Sequence, residues 1–83
     1  MSVRIHARFF AAARDAAGAE SLVLAPQSPT IAGLLAAVGS THPEGERIFG
    51  RCSFLVNGRS TSDLAHPLAD GDRVDVLPPF AGG

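Results

Sequence analysis

The strongest constraint on the fold is a single amphipathic helix, predicted for residues 30–39 of this 83-residue chain. Its apolar residues recur at i, i+3, i+4 and i+7, which places them on one helix face: Ile31, Leu34, Leu35 and Val38. Thr30 is the candidate N-cap and Gly39 the expected stop. Gly33 inside the helix predicts close packing on a sheet. A single apolar stripe must be covered, so we expect the remaining apolar segments to wrap round this helix.

Four segments are predicted to form strands, because their apolar residues alternate or lie between turn signals. They are residues 3–10, 20–25, 52–57 and 73–77. In the first strand, Phe10 falls on the polar side, opposite the core-facing residues Val3, Ile5, Ala7 and Phe9. In the last strand, Leu77 points outward, opposite Val74 and Val76. Each of these strands therefore turns one face to the core and the other away from it.

The connecting segments are predicted from their glycine, proline and polar residues. Residues 11–17 form a short helical turn, residues 42–50 a loop and residues 60–70 an irregular stretch. Asn57-Gly58 predicts a tight turn after the third strand. Ile48 and Phe49 are expected to dock on the core, because they are the apolar residues of an otherwise polar loop.

The predicted order is strand, strand, helix, strand, strand, within one domain. If the first and last strands lie side by side and parallel, the helix covers one face of a mixed sheet. This is an α+β roll of the β-grasp, or ubiquitin-like, class, and a small split βαβ sandwich is the alternative. Residues 1–77 are assigned to the β-grasp domain and residues 78–83, called the tail below, to an extended projecting segment.

Composition excludes several classes of protein. No apolar run approaches the roughly 18 residues of a membrane span, and no leader for export is recognisable. A formal net charge of −1 argues against a nucleic-acid binder, and a single cysteine predicts a reducing, cytoplasmic setting. The histidines and the cysteine are not spaced as the ligands of a metal site would be. The chain also contains no lysine that could serve in covalent catalysis. We therefore expect a carrier or binding module and not an enzyme acting alone.

The tail suggests how such a module could take part in chemistry. Pro78-Pro79 prevents further strand pairing and holds the backbone extended before Phe80, Ala81, Gly82 and Gly83. A terminal carboxylate is a poor electrophile, so it reacts only after activation, most simply to an acyl-adenylate from ATP. Two glycines without Cβ atoms let the chain enter a narrow passage toward the activating site. A passive, frayed end remains the alternative, because a terminal Gly-Gly can arise by chance and is weak evidence on its own.

Three motifs in order resemble one known family. They are residues 9–18, FFAAARDAAG; residues 66–74, HPLADGDRV; and residues 78–83, PPFAGG. These resemble the opening, the turn before the last strand and the ending of molybdopterin-synthase small subunits, in the MoaD/ThiS family of ubiquitin-like sulfur carriers. The resemblance spreads over the whole chain, which makes it far more specific than the terminal Gly-Gly.

The resemblance implies a role for each tail residue. The carboxylate of Gly83 would be adenylated by a ubiquitin-activating-like adenylyltransferase and converted to a thiocarboxylate with sulfur from a donor system. The tail would then enter the large synthase subunit and deliver sulfur for molybdopterin, the organic part of the molybdenum cofactor. The tail-threading residues would be Gly82, Ala81, Phe80, Pro79 and Pro78. ATP would be used by the activating partner, so the chain itself is expected to bind no cofactor.

A partner-binding surface is predicted next to the tail. Phe10 and Leu77 lie at the outward ends of the first and last strands, so in a β-grasp they would form an apolar surface. Arg14 occupies a family motif position and is assigned a partner contact. Cys52 shares the inward positions of its strand with Phe54 and Val56, which favours a buried structural thiol over a sulfur relay. Two alternatives stay open, namely a sulfur carrier for thiamine, cysteine or tRNA thiolation and a non-carrier ubiquitin-like interaction domain.

Overall fold

The computed structural model describes residues 3–39 and 48–78, which form seven helices and strands. In chain order they are β1 (Ile5–Phe9), α1 (Ala12–Ala17), β2 (Ser21–Leu24), α2 (Ile31–Gly39), β3 (Ser53–Val56), β4 (Arg59–Thr61) and β5 (Arg73–Leu77). The strands form one mixed sheet in the order β2-β1-β5-β3-β4. β1 and β5 pair parallel at its centre, and the other neighbours pair antiparallel. The predicted parallel pairing of the first and last long strands is confirmed, and with it the β-grasp arrangement.

The core lies between one face of the sheet and α2. The inward residues of β1 and β5 are buried, as their alternation predicts, and they meet the buried stripe of the helix: Ile5, Ala7, Phe9, Val74, Val76, Ile31, Leu34 and Val38. Phe49 docks on this core with its ring centroid 5.9 Å from that of Phe9. Each large apolar side chain buried here contributes roughly 1.5–3 kcal/mol, which makes this layer the main source of stability.

The structure has one strand more than the sequence predicts. β4 pairs antiparallel with β3 across a turn in which Asn57 and Gly58 have φ angles of 51° and 86°. These left-handed conformations confirm the predicted turn. The strand was missed because its residues are all polar and carry no apolar alternation. Within the described residues, no helix is both long enough and apolar enough to cross a membrane.

α2 begins at a side-chain cap, as predicted. The backbone N–H of Gly33 donates a hydrogen bond to Oγ1 of Thr30 at 3.1 Å, which satisfies one of the free donors of the first turn. The prediction that Gly33 packs on the sheet is wrong. A Cβ added to Gly33 would collide with the backbone carbonyl of Ser28, in the loop that precedes the helix. The glycine therefore allows the loop to fold back against the helix it leads into.

Gly33→Ala is expected to destabilise the domain by about 1–3 kcal/mol, as other overpacking substitutions do. The sign is informative, because alanine is the better helix former and would otherwise stabilise α2. Urea unfolding followed by circular dichroism measures the effect. Ala36→Gly, at an exposed position of the same helix, is the control and should cost about 1 kcal/mol from helix propensity alone. A Gly33→Ala protein as stable as wild type would contradict the close approach.

Candidate functional site

The parallel pairing of β1 and β5 brings two predicted site residues to the same end of the sheet. Phe9 is the register partner of Val76, and the N–H of Phe10 donates to the carbonyl of Val76 at 3.2 Å. Phe10 is 38% exposed, and Leu77 is half-buried. We call Phe10 and Leu77 the strand-end patch. Its role in binding stays a prediction.

The root of the tail leaves β5 beside this patch. Pro78 directly follows Leu77 and is buried, so the segment assigned to the tail starts from a packed residue. The remaining predicted tail residues lie outside the described residues: Pro79, Phe80, Ala81, Gly82 and Gly83. Because Pro78 is fixed by packing and its ring fixes φ, the backbone direction at the root is set by the domain.

An ion pair lies next to the strand-end patch. Arg8 and Asp75 are register partners, and the guanidinium donates twice to the carboxylate, from Nε at 2.9 Å and from Nη2 at 3.2 Å. The hydrogen bond to Asp75 raises the pKa of Arg8 further, so the cation persists at every accessible pH. The guanidinium carbon also lies 5.5 Å from the centre of the Phe10 ring. Arg8 therefore joins the acid on β5 to the aromatic ring of the patch.

Sequence reasoning missed this cluster although the signal was present. Alternation along β1 and β5 already placed Arg8 and Asp75 on the outward side. Only the parallel register, with Arg8 opposite Asp75, shows that the two side chains meet. The sequence can thus predict that two strands pair without predicting which of their residues are in contact.

The sheet surface opposite α2, called the outer face, carries these residues and several more. Its members follow from the register and point away from the core: His6, Arg8, Phe10, Ser21, Val23, Ser53, Leu55, Ser60, Arg73, Asp75 and Leu77. Val23 is 60% exposed. Two shallow depressions of about 300 and 340 Å³ open here, and both are lined by Arg8 and Arg73. The buried residues of α1 and α2 belong to the core, which lies on the other side of the sheet.

Arg14 lies close in sequence to the patch but makes no contact that assigns it a role. It is exposed on α1, and among the described residues its side chain makes no hydrogen bond or ion pair. Its predicted partner contact therefore stays a prediction. Between Phe10 and α1, Ala11 adopts φ 51° and ψ −126°, a conformation that costs a non-glycine residue roughly 1–3 kcal/mol. This strained residue sets the turn from the patch into the helix of Arg14.

Cys52 is a buried structural thiol, as the sequence predicted. It is 7% exposed, and its Sγ–H donates to the carbonyl of Ile48 at 3.2 Å. Burial raises the pKa of the thiol to about 11, which keeps it protonated at neutral pH. A thiol in this state is a poor nucleophile, which disfavours a sulfur relay through Cys52. Within the described residues, no three side chains of His, Cys, Asp or Glu come together as a metal site would need.

We expect the native Cys52 thiol to react with a disulfide reagent at least about tenfold more slowly than the unfolded chain at pH 8. Because the raised pKa suppresses the thiolate, the native rate should climb as the pH approaches about 11. The matched control is Cys52→Ala with Ser53→Cys, which moves the thiol to the adjacent exposed position. Equal native rates for the two proteins would show that Cys52 is not protected.

Comparisons with known proteins agree with this fold along nearly the whole chain. The sequence model of the ThiS family matches residues 7–83. The molybdopterin synthase sulfur carrier subunit of Aedes aegypti is 35% identical over 88 aligned residues, covering 98% of this chain and 90% of that protein. The family match, over residues 7–83, includes Phe10, Leu77 and the predicted tail.

Two solved structures show the same architecture. The first is the complex of subunits 1 and 2 of molybdopterin-converting factor from Helicobacter pylori 26695. One of its chains superposes with a TM-score of 0.67 at 25% identity, over 98% of this chain and 100% of that chain. Small archaeal modifier protein 1 from Methanosarcina acetivorans superposes with a TM-score of 0.81 at 23% identity, over 100% and 99% of the two chains. The second likeness supports the fold alone, and the predicted ubiquitin-like β-grasp is confirmed.

Proposed function

Because the chain belongs to the ThiS family, we propose that it is a sulfur carrier that acts as the small subunit of molybdopterin synthase. The observation that carries this proposal is the 35% identity to a sulfur carrier subunit of that synthase over 98% of the chain. The H. pylori structure, a complex of subunits 1 and 2 of molybdopterin-converting factor, supports a large subunit as the partner. The chain would be a carrier that depends on its partners for catalysis.

The proposed chemistry takes place at the carboxylate of Gly83. A carboxylate oxygen attacks the α-phosphate of ATP in the adenylyltransferase, and pyrophosphate leaves. Hydrosulfide supplied by the donor system then attacks the acyl carbon, the bond to AMP breaks, and a thiocarboxylate and a proton are released. The thiocarboxylate is a nucleophile at neutral pH, as a thiolate of low pKa would be, and it carries the sulfur to the pterin precursor.

The described residues support this proposal at the root of the tail. Pro78 is packed, so the segment that we propose to project starts from a fixed point next to Leu77 of the strand-end patch. A partner that contacts Phe10 and Leu77 would therefore receive the tail in a defined direction. In this proposal Gly82, Ala81, Phe80 and Pro79 thread the passage, Arg14 adds a partner contact, and the process takes place in the cytoplasm. The absence of lysine leaves no side-chain amine to capture the activated terminus.

The proposal is tested by the mass of the intact protein. After incubation with an active adenylyltransferase, ATP and a sulfide donor, we expect one oxygen of the terminus to be replaced by sulfur. Deletion of Gly83 is the control and should abolish the change, because the activated carboxylate is then no longer in place. Wild-type protein that stays unmodified beside a reference carrier that reacts would contradict the proposal. Activity retained without Gly83 would favour a non-carrier interaction domain.

Partner choice separates this pathway from the other sulfur carriers. Purification of the tagged chain from its native cell should recover the large subunit of molybdopterin synthase. Recovery of a thiazole synthase, a cysteine synthase or a tRNA-thiolating enzyme in its place would assign the carrier to that pathway. The mass change at Gly83 would remain in either case, so the two experiments test different parts of the proposal.

Gly82→Ala is expected to slow adenylation by at least about tenfold, since a methyl group in a narrow passage displaces the reacting carboxylate. Pyrophosphate release measures the rate. Ala81→Gly, which removes a methyl group from the same tail, is the matched control and should leave the rate within about twofold. The unfolding free energy of both variants should match that of wild type. Unchanged adenylation in Gly82→Ala would contradict the role of the diglycine in threading.

A further inference from the structure

The end of the outer face far from Pro78 carries His6 and the cation of Arg73. His6 and Arg73 are register partners on β1 and β5, and both side chains are exposed. They line one depression together with Ser21 and Val23. Arg73 also lines the neighbouring depression, next to Asn57. Arg73 is thus exposed and lines both depressions.

The carboxylates at this end are already engaged. Asp75 accepts both hydrogen bonds of Arg8. Asp72 accepts one from the side-chain amide of Asn57 at 2.9 Å and one from the N–H of Ala69 at 2.8 Å. Among the described residues, the side chain of Arg73 makes no hydrogen bond or ion pair. Arg73 is therefore a cation on this face without an acceptor of its own.

The outer face combines this cation with the strand-end patch at a fixed separation. Phe10, which directly follows β1, is four positions beyond His6, and this spacing corresponds to about 13 Å at about 3.3 Å per residue. Leu77 and Arg73 are four residues apart along β5 and follow the same spacing. Since the two strands are held by the core beneath them, the separation does not depend on a flexible segment.

We propose that the outer face docks a protein surface that places an Asp or Glu carboxylate over Arg73 and apolar side chains over the strand-end patch. This rests on the proposed function and names the surface that the synthase large subunit must present. The free cation of Arg73 selects an acidic partner group, and the apolar patch provides the buried contact next to the tail. The Arg8–Asp75 pair lies between the two contacts and is neutral overall, so it adds no competing charge.

The test compares two arginines of the same sheet in binding to the purified large subunit of molybdopterin synthase. Arg73→Glu should raise the Kd by about tenfold or more, because it places the new carboxylate opposite the carboxylate of the partner. Arg59→Glu is the matched control. Arg59 is also exposed but is the register partner of the inward-facing Val56, which puts it on the opposite side of the sheet. Its Kd should stay within about twofold of wild type.

Salt dependence gives a second measurement. The wild-type Kd should rise as salt increases from about 50 mM to about 500 mM, since salt screens the attraction between Arg73 and the partner's carboxylate. Arg73→Leu should bind more weakly at low salt and show a smaller dependence. Thermal unfolding of each Arg73 variant should match wild type, because Arg73 is exposed and its side chain makes no hydrogen bond or ion pair within the part of the chain that the structure describes.

The outcomes separate this inference from the proposed function. A wild-type chain that does not bind the large subunit contradicts the proposed function itself. Wild-type binding with equal affinities for Arg73→Glu and Arg59→Glu overturns the docking surface and leaves the function standing. If a second copy of this chain occupied the outer face, ultracentrifugation would show a concentration-dependent dimer that is lost in Arg73→Glu. That result would also overturn the inference.

Discussion

The parallel pairing of β1 with β5 is the interaction on which the other features depend. These strands occupy neighbouring central positions of the sheet, and their inward residues form the middle of the core. Their outward residues follow one another in three successive positions, of which His6 with Arg73 and Arg8 with Asp75 are register partners. The third pair, Phe10 and Leu77, lies where the strands end. The same hydrogen-bonded ladder therefore builds the core and orders the surface beside the tail.

The two faces of this ladder contribute differently to the molecule. The inward face excludes water and supplies most of the stability through apolar burial. The outward ion pair joins an exposed Arg8 to a partly buried Asp75 and adds little to the free energy of unfolding. Its physical effect is orientation, because two hydrogen bonds fix a guanidinium beside the ring of Phe10. The ion pair thus orients surface side chains, while the core supplies the stability.

The sequence predicted the features that depend on local pattern or on local chemistry. Alternation along β1 and β5, the stripe of α2, its Thr30 cap and the turn at Asn57 all have signals within a few residues. β4 carries no such signal, because pairing with β3 and not its own side chains makes it a strand. Gly33 was assigned to the wrong neighbour, since a missing Cβ reveals a close approach but not the direction it comes from.

The candidate site divides in the same way. The reactivity proposed for Gly83 follows from the chemistry of a terminal carboxylate and from the resemblance of the tail to known carriers, and both can be read from the chain. The ion pair between Arg8 and Asp75, and the lack of a side-chain acceptor for Arg73 among the described residues, follow from how β1 and β5 pair in the sheet. Residues 67 positions apart become neighbours there, and no local pattern encodes which ones meet.

That separation also bears on how the chain reaches its native state. Contacts between residues 67 positions apart close a long loop, and the entropy of closure opposes them until many other contacts can form. Proteins dominated by such non-local pairings fold more slowly than helical bundles. β1 is synthesised before the other strands yet lacks its central partner until β5 has been made. Its apolar side must be shielded during that interval by other contacts, of which the antiparallel β1–β2 hairpin is the nearest in sequence.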